Sequence, residues 1–462
     1  MAIAFEPGAL SGAGLPAHEL REWAASQPRD VADAAASSRF LLTGERLLGR
    51  LPPRPKRSTA EQAAAEALWA ELRAVRRRFL RVSAGSLYAR LTDDLSKCVR
   101  VEELVYDAAA AVPGLVPTRE QVRADRERLQ KDKEGFEIDQ GVFLAQVLSD
   151  PAAGSHLIYS MLRPRHEAVE LFGEFQRSGR VDIGDTSVER RGSVGYVLHG
   201  SPRFLNAEDD ATTTTLEIGV DLVLLDPAIE VGVLRGKPVT HPKYAGRRLF
   251  SSGINLTHLY HGLISFVDFF ISRELGLVNK LYRGHSLAEY VSHAVEETSS
   301  EKPWIAAVEG FAIGGGCQIL LTMDYVLAEQ SSFFSLPARK EGIIPGVSNM
   351  RLWRFVGDRL ARQAILFDRQ FPADSAEGRL ICDRVVPDGE MDAALSETLV
   401  ALTTSGVVSA AGNRKAIRVG QEPIDVFRQY MAVYCREQAL CHYSPQLIRN
   451  LELNWDAQRR KP

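Results

Sequence analysis

Residues 303–328 read PWIAAVEGFAIGGGCQILLTMDYVLA, and this stretch decides the fold. Trp304 to Val308 is an apolar strand, and FAIGGGCQILLTMDYVLA is a turn followed by a helix. Three glycines at a helix start leave the first-turn N–H groups open to close approach, where the helix dipole favours negative charge. Gln318 falls in that first turn. A carboxylate there would move protons, whereas an amide only donates and accepts hydrogen bonds.

Outward from this stretch the same texture continues. GSVGYVLHG and IEVGVLRG are strands, TTTTLEIGVDLVLLDPA is a helix capped by threonines, LFSSGINL is a loop entering a helix, and FFSLPA is a further strand. Alternation of this kind predicts βαβ units, with ligands bound outside the carboxyl ends of the strands. Residues 1–188 read instead as a helical domain. RSTAEQAAAEALWAELRAVRRRFLRV offers Ser58 or Thr59 as a cap, with Leu68, Leu72 and Val75 at helical spacing, behind a Pro-rich linker, LPPRPKRS. The charged runs RAVRRRF and RADRERLQKDKEG read as solvated helix faces. Residues 189–462 form the α/β domain and end in helices that include IDVFRQYMAVYCREQALCHYS.

Length and composition set the class. A chain of 462 residues, 45% hydrophobic, 25% charged and with formal net charge −3, is a globular protein of two domains or one with a large appendage. The near balance of charge argues against a general nucleic-acid binder. Five scattered cysteines without a CxxC pair read as reduced thiols, and neither a leader pattern nor a membrane-spanning apolar run is present, which predicts a cytoplasmic protein away from membranes.

Several signatures fail. No GxxxxGK[ST] loop, GxGxxG dinucleotide turn or GxSxG elbow occurs. His258 and His261 are the one close histidine pair, and their spacing alone supplies no metal site. Two glycine turns remain. Gly253 precedes Ile254 in FSSGINL, and Gly315 lies in AIGGGCQ. If both loops end on one side of one sheet, the N–H groups of Ile254 and Gly315 converge on a single oxygen, and such a pair stabilises an enolate or tetrahedral oxyanion.

FSSGINL, PWIAAVEGFAIGGGCQILLTMDYVLA, EGIIPGVSNMRLWRFVG and DSAEGRLICDRVVP, in that order, resemble the enoyl-CoA hydratase/isomerase (crotonase) superfamily over about residues 190–455. The resemblance implies a spiral of ββα units, an acyl-CoA substrate, an oxyanion hole at Ile254 and Gly315, substrate-binding residues Ser252, Gly253, Asn255 and Gly314, and homo-oligomers, trimers or hexamers. The departures matter more. Hydratases carry a glutamate where Gln318 stands and a second where Ala338 stands in SLPARKEGIIPG, so both acid–base groups of water addition are missing. Glu341, three residues on, is not counted as a replacement.

A long helical extension with Gln after GGGC and no second glutamate is similar to the cofactor-independent dioxygenase branch of that superfamily, which serves glycopeptide-antibiotic biosynthesis. That branch implies conversion of 3,5-dihydroxyphenylacetyl-CoA and O₂ to 3,5-dihydroxyphenylglyoxylate and CoA without metal, flavin or haem. It implies catalytic roles for Arg273 and Gln318 and contacts to the ring from Glu208 and His241. The oxyanion turns would equally serve an acyl-CoA thioesterase, isomerase or decarboxylase. A non-catalytic scaffold is the alternative from another class.

Overall fold

The computed structural model describes residues 13–290, 299–404 and 406–462; residues 1–12, part of the stretch read above for a leader, lie outside them. Helix α1 (Thr59–Leu91) starts where Ser58 accepts from the Glu61 N–H and the Glu61 carboxylate accepts in return from the Ser58 N–H at 2.7 Å, a reciprocal cap that satisfies two orphan donors. Leu68, Leu72, Val75 and Phe79 bury one stripe of it. Arg76 corrects the reading of RAVRRRF as a solvated face. Its side chain is 2% exposed and donates to Gly114 O, Asp139 and Glu45. RADRERLQKDKEG is corrected likewise. Its helix stops at Arg126, and Asp125, Gln130 and Lys133 are buried, because the Asp125 carboxylate accepts the Glu134 N–H at 3.0 Å and so folds the run back on itself.

Helix α2 (Glu137–Ser149) lies in the heart of the N-terminal region. The sheet then opens with β1 (Arg180–Ile183), β2 (Thr186–Arg191) and β3 (Val194–His199), an antiparallel meander. The sheet therefore begins ahead of residue 189, where the α/β domain was expected to start. Helix α3 (Asp210–Leu225) is capped by Asp209 rather than by a threonine, with Thr212 returning the bond. Parallel strands β4 (Val231–Gly236) and β5 (Trp304–Val308) follow.

After the short β6 (Phe311–Ile313) comes α4 (Gly315–Leu320), six residues long. The expected helix through YVLA ends here, because Asp324 is bonded to Trp304 through both its N–H and its carboxylate, and Tyr325–Glu329 becomes β7, parallel to β5. Strands β8 (Phe333–Ser335), β9 (Gln370–Pro372) and β10 (Arg384–Val386) complete two sheets. One has the order β1-β2-β3-β4-β5-β7-β10, and the other, three-stranded, has β8 between β6 and β9. Helix α5 (Ala338–Glu341) follows β8 directly.

Between β4 and β5 the chain widens into two π-type helical segments, Phe266–Ile271 and Arg273–Leu277, a geometry that re-aims side chains. Their apolar side chains share one core with α2 and with α6 (Ile424–His442). Helices α2 and α6 approach so closely that a Cβ on Gly141 would lie 2.7 Å from Ala439 Cβ. The N-terminal and C-terminal helices thus pack together over the π-type segments. Among the described residues no single helix is long and apolar enough to cross a membrane.

Candidate active site

The two glycine turns touch. Gly253 and Gly314 both have positive φ, 81° and 51°, a conformation that favours glycine. A Cβ on Gly253 would stand 2.8 Å from Ile313 O and 3.3 Å from Gly314 Cα. The Glu208 N–H donates to Gly253 O and the Asn255 N–H to Glu208 O, each at 2.7 Å. This brackets Ile254 and turns its own N–H the other way. Among the described residues nothing accepts from the Ile254 N–H or from the Gly315 N–H at the start of α4. Both residues line one small chamber, as an oxyanion hole requires.

Beneath that turn lies a buried charge network centred on Arg273. Its Nε donates to Glu208 Oε2 at 2.5 Å, Nη1 to Glu274 Oε1 at 2.7 Å and to Gln318 Oε1 at 2.9 Å, and Nη2 to Gly315 O at 2.9 Å. Burial works against the charge, but the carboxylates of Glu208 and Glu274 outweigh it and hold the guanidinium pKa above its ordinary value. Arg273 thereby fixes both the Gly315 turn and the amide of Gln318. With Oε1 taken by Arg273, the Gln318 NH₂ group is the end left to the chamber, and no described residue accepts from it.

Two connected cavities result. The inner chamber, lined by Ile254, Phe269, Arg273, Gln318, Tyr434 and Glu341 among others, has a free volume of about 20 Å³, room for about one water. The outer cavity has about 860 Å³ and carries Arg203, His241, Lys340, Arg460 and Lys461. Ile254 and Glu341 line both, so they mark the junction. Glu341 is 4% exposed, and its carboxyl makes no hydrogen bond or ion pair with any described residue. Burial first, then the nearby Asp368, pushes its pKa up to about 8 against the pull of Lys340.

Of the residues singled out from sequence, Ile254, Arg273, Gly314, Gly315 and Gln318 meet at the inner chamber, and Ser252 and Asn255 line the outer cavity. His241 lies in the outer cavity rather than at the inner end, because Pro242 turns the chain into a one-turn helix, Pro242–Tyr244, on that side. Glu208 and Gly253 stand behind the chamber wall; Glu208 acts on Arg273 and Gly253 on the neighbouring turn. His258 pairs with Asp209 at 2.9 Å and His261 meets Arg460 O at 2.8 Å, so the two rings have separate partners. Among the described residues no three His, Cys, Asp or Glu side chains gather as a metal site.

Sequence reasoning missed Glu274 and Tyr434. Glu274 is aimed at Arg273 by the π widening, which has no apolar period to betray it. Tyr434 arrives from α6, far along the chain.

These turns, strands and their order define the class. Residues 189–419 match the enoyl-CoA hydratase/isomerase family model, and the chain belongs to that family. It is 47% identical over 404 residues, 87% of this chain and 92% of the relative, to (3,5-dihydroxyphenyl)acetyl-CoA 1,2-dioxygenase of Amycolatopsis orientalis. A probable enoyl-CoA hydratase of Rhizobium meliloti is 32% identical over 45% of this chain and 71% of its own length. Among solved structures, an enoyl-CoA hydratase from Mycobacterium avium subsp. paratuberculosis covers 59% of this chain and 99% of its own, with 23% identity and a TM-score of 0.48. The first relative spans the helical N-terminal region as well as the sheet; the hydratases match about half of the chain.

Proposed function

We propose that the protein is a dioxygenase that converts 3,5-dihydroxyphenylacetyl-CoA and O₂ to 3,5-dihydroxyphenylglyoxylate and free CoA, the chemistry for which its Amycolatopsis relative is named. The observation that carries this reading within the family is the replacement of proton-handling groups by an amide clamped to Arg273, at Gln318, and by Ala338. Water addition needs a general acid and a base at those positions. An enolate that must survive long enough to meet O₂ does not.

The geometry supplies the rest of the scheme. The basic side chains of the outer cavity suit the phosphates of CoA, and the thioester lies at the junction, its oxygen between the N–H groups of Ile254 and Gly315. Loss of a Cα proton leaves the electron pair delocalised onto that oxygen, where preorganised donors are worth most. The electron-rich anion passes electrons to O₂ and forms a C–O bond at Cα. The peroxide attacks the thioester carbonyl, CoA leaves as thiolate, and O–O cleavage with loss of the second Cα proton yields the keto acid. Two oxygen atoms enter and two protons leave, so the reading calls for no resident metal, flavin or haem. The inner chamber is too small for a dihydroxyphenyl ring as it stands, so the reading requires the chamber lined by Phe269 and Phe270 to widen on binding. The walls then exclude the water that would protonate the anion.

The reading extends to a cytoplasmic homo-oligomer that works in glycopeptide-antibiotic biosynthesis. Incubation with the thioester under ¹⁸O₂ tests the chemistry. Two labelled oxygens in the keto acid support it. Equal release of CoA without oxygen favours the thioesterase reading and overturns this one.

A further inference from the structure

Removal of the Cα proton requires a base, and most of the site has no group to serve as one. Arg273 is a cation with its donors engaged. Glu208 is held by Arg273 behind the Gly315 turn. Glu274 accepts both from Arg273 and from the Val347 N–H at 3.0 Å. Gln318 is an amide, and Ala338 has no functional group. His241 lies out in the outer cavity.

We propose that Glu341 is the base that takes the Cα proton: its buried carboxyl has no hydrogen-bond partner and stands at the junction of the two cavities, beside the Gly314 turn. Three observations place it there. It lines both the inner chamber and the outer cavity, a property it shares with the oxyanion donor Ile254. A Cβ on Gly314 would lie 3.9 Å from Glu341 Oε1, which sets the carboxyl next to the turn that carries the Gly315 N–H. The residue is 4% exposed, yet its carboxyl has no hydrogen-bond or ion-pair partner among the described residues; buried carboxyls are ordinarily paired, and one that is not needs a reason. The assignment requires that a thioester whose oxygen meets Ile254 and Gly315 present its Cα to this side of the chamber. The assignment rests on the dioxygenase reading above.

Chemically, the C–H bond breaks, its electron pair delocalises onto the thioester oxygen, and the proton passes to Glu341, which becomes a neutral acid. The charged groups around it work in one direction. Asp368 raises its basicity and Lys340 offsets that in part. Arg273 and Glu274 on the far wall are spent on each other. A carboxyl with pKa about 8 is a far stronger base than an ordinary one, and ionised in roughly one molecule in ten at neutral pH, close to the match of basicity and population that general-base catalysis favours. The neutral acid faces the outer cavity, through which its proton exchanges with solvent.

The test separates proton transfer from oxygen chemistry. The full-length protein and Glu341→Gln are incubated with 3,5-dihydroxyphenylacetyl-CoA in D₂O without oxygen, and exchange at Cα is followed by mass spectrometry. Wild type is expected to exchange, with a rate that rises with pH through about 8 and then levels. Glu341→Gln should exchange about 10²- to 10⁴-fold more slowly, with thioester binding by calorimetry unchanged and the rise at that pH gone. Glu341→Asp should restore part of the rate. Exchange by Glu341→Gln at the wild-type rate overturns the assignment while leaving the dioxygenase reading intact. Loss of thioester binding along with exchange overturns it too, since Glu341 is then a binding group. A wild-type protein that neither exchanges nor consumes the thioester overturns the dioxygenase reading, and the assignment falls with it.

Discussion

Two walls of the inner chamber carry buried charge in opposite ways. On one, Arg273 meets two carboxylates, an amide oxygen and a backbone carbonyl. On the other, Glu341 meets no partner at all. A charge whose every bond is made holds neighbours in place and resists titration; a buried carboxyl with none titrates close to neutrality, where it can both take and return a proton. The first wall is therefore the positioning element and the second the reactive one.

Breaking the first wall should have the largest effect. Arg273→Met leaves Glu208 and Glu274 buried without their cation, and a loss of about 3–5 kcal/mol in urea denaturation is expected; a change below about 1 kcal/mol would place the wall in a wetter setting than described. Next comes Gly315→Ala. Its Cβ would fall 2.4 Å from Glu208 Oε1 and 2.9 Å from Arg273 Nη2, both held in the network, so the turn must move. Turnover should fall about 10²- to 10³-fold, as for loss of one oxyanion donor, and wild-type turnover would show that the Gly315 N–H is not one.

Gln318→Glu sharpens the contrast, because it sets a third carboxylate around one guanidinium. Burial raises the pKa of such a group, so the folded variant holds a proton that the unfolded chain releases. Its stability should match wild type in acid and drop by about 1–3 kcal/mol as pH rises to neutrality. A variant equally stable at both pH values would refute the saturation of that wall. The second wall should respond to pH as well, through a carboxyl that the wild type already carries. With Glu341 raised from 4.5 to about 8, the wild-type fold is favoured at low pH and loses that contribution as pH rises between the two values. Glu341→Gln lacks this dependence. Thermal melts of the two should therefore diverge in favour of the variant up to about pH 8 and run parallel above it.

Much of this was legible in the chain. The two turns were, because glycine in a turn that enters a helix has few other uses; Gly314 and Gly315 follow β6 directly, whereas Gly253 follows the single bridge of Ser251 to Ala312. Gln318 was legible as an anomaly, although its clamp by Arg273 was not. That contact depends on a π-widened segment forty-five positions away, and no apolar spacing encodes such a segment. Arg76 was misread for a related reason. A run of arginines looks solvated until Asp139 and Glu45, on other helices, are folded against it. The end of α4 was misread because Asp324, the residue that stops it, acts through Trp304 on another strand. Glu341 was visible but mute, since sequence records a carboxyl and not the absence of its partners.

The close approach of α2 to α6 at Gly141 has a consequence for how the molecule is made. These helices are separated by most of the chain, so α2 leaves the ribosome long before the surface it needs exists. The N-terminal helices must wait, partly assembled, until the last helices are synthesised, and domains dominated by such distant pairings close late and expose apolar surface meanwhile. A bulkier residue at position 141 would therefore be felt first as a lower yield of finished protein during synthesis, before any change in the turnover of the molecules that succeed.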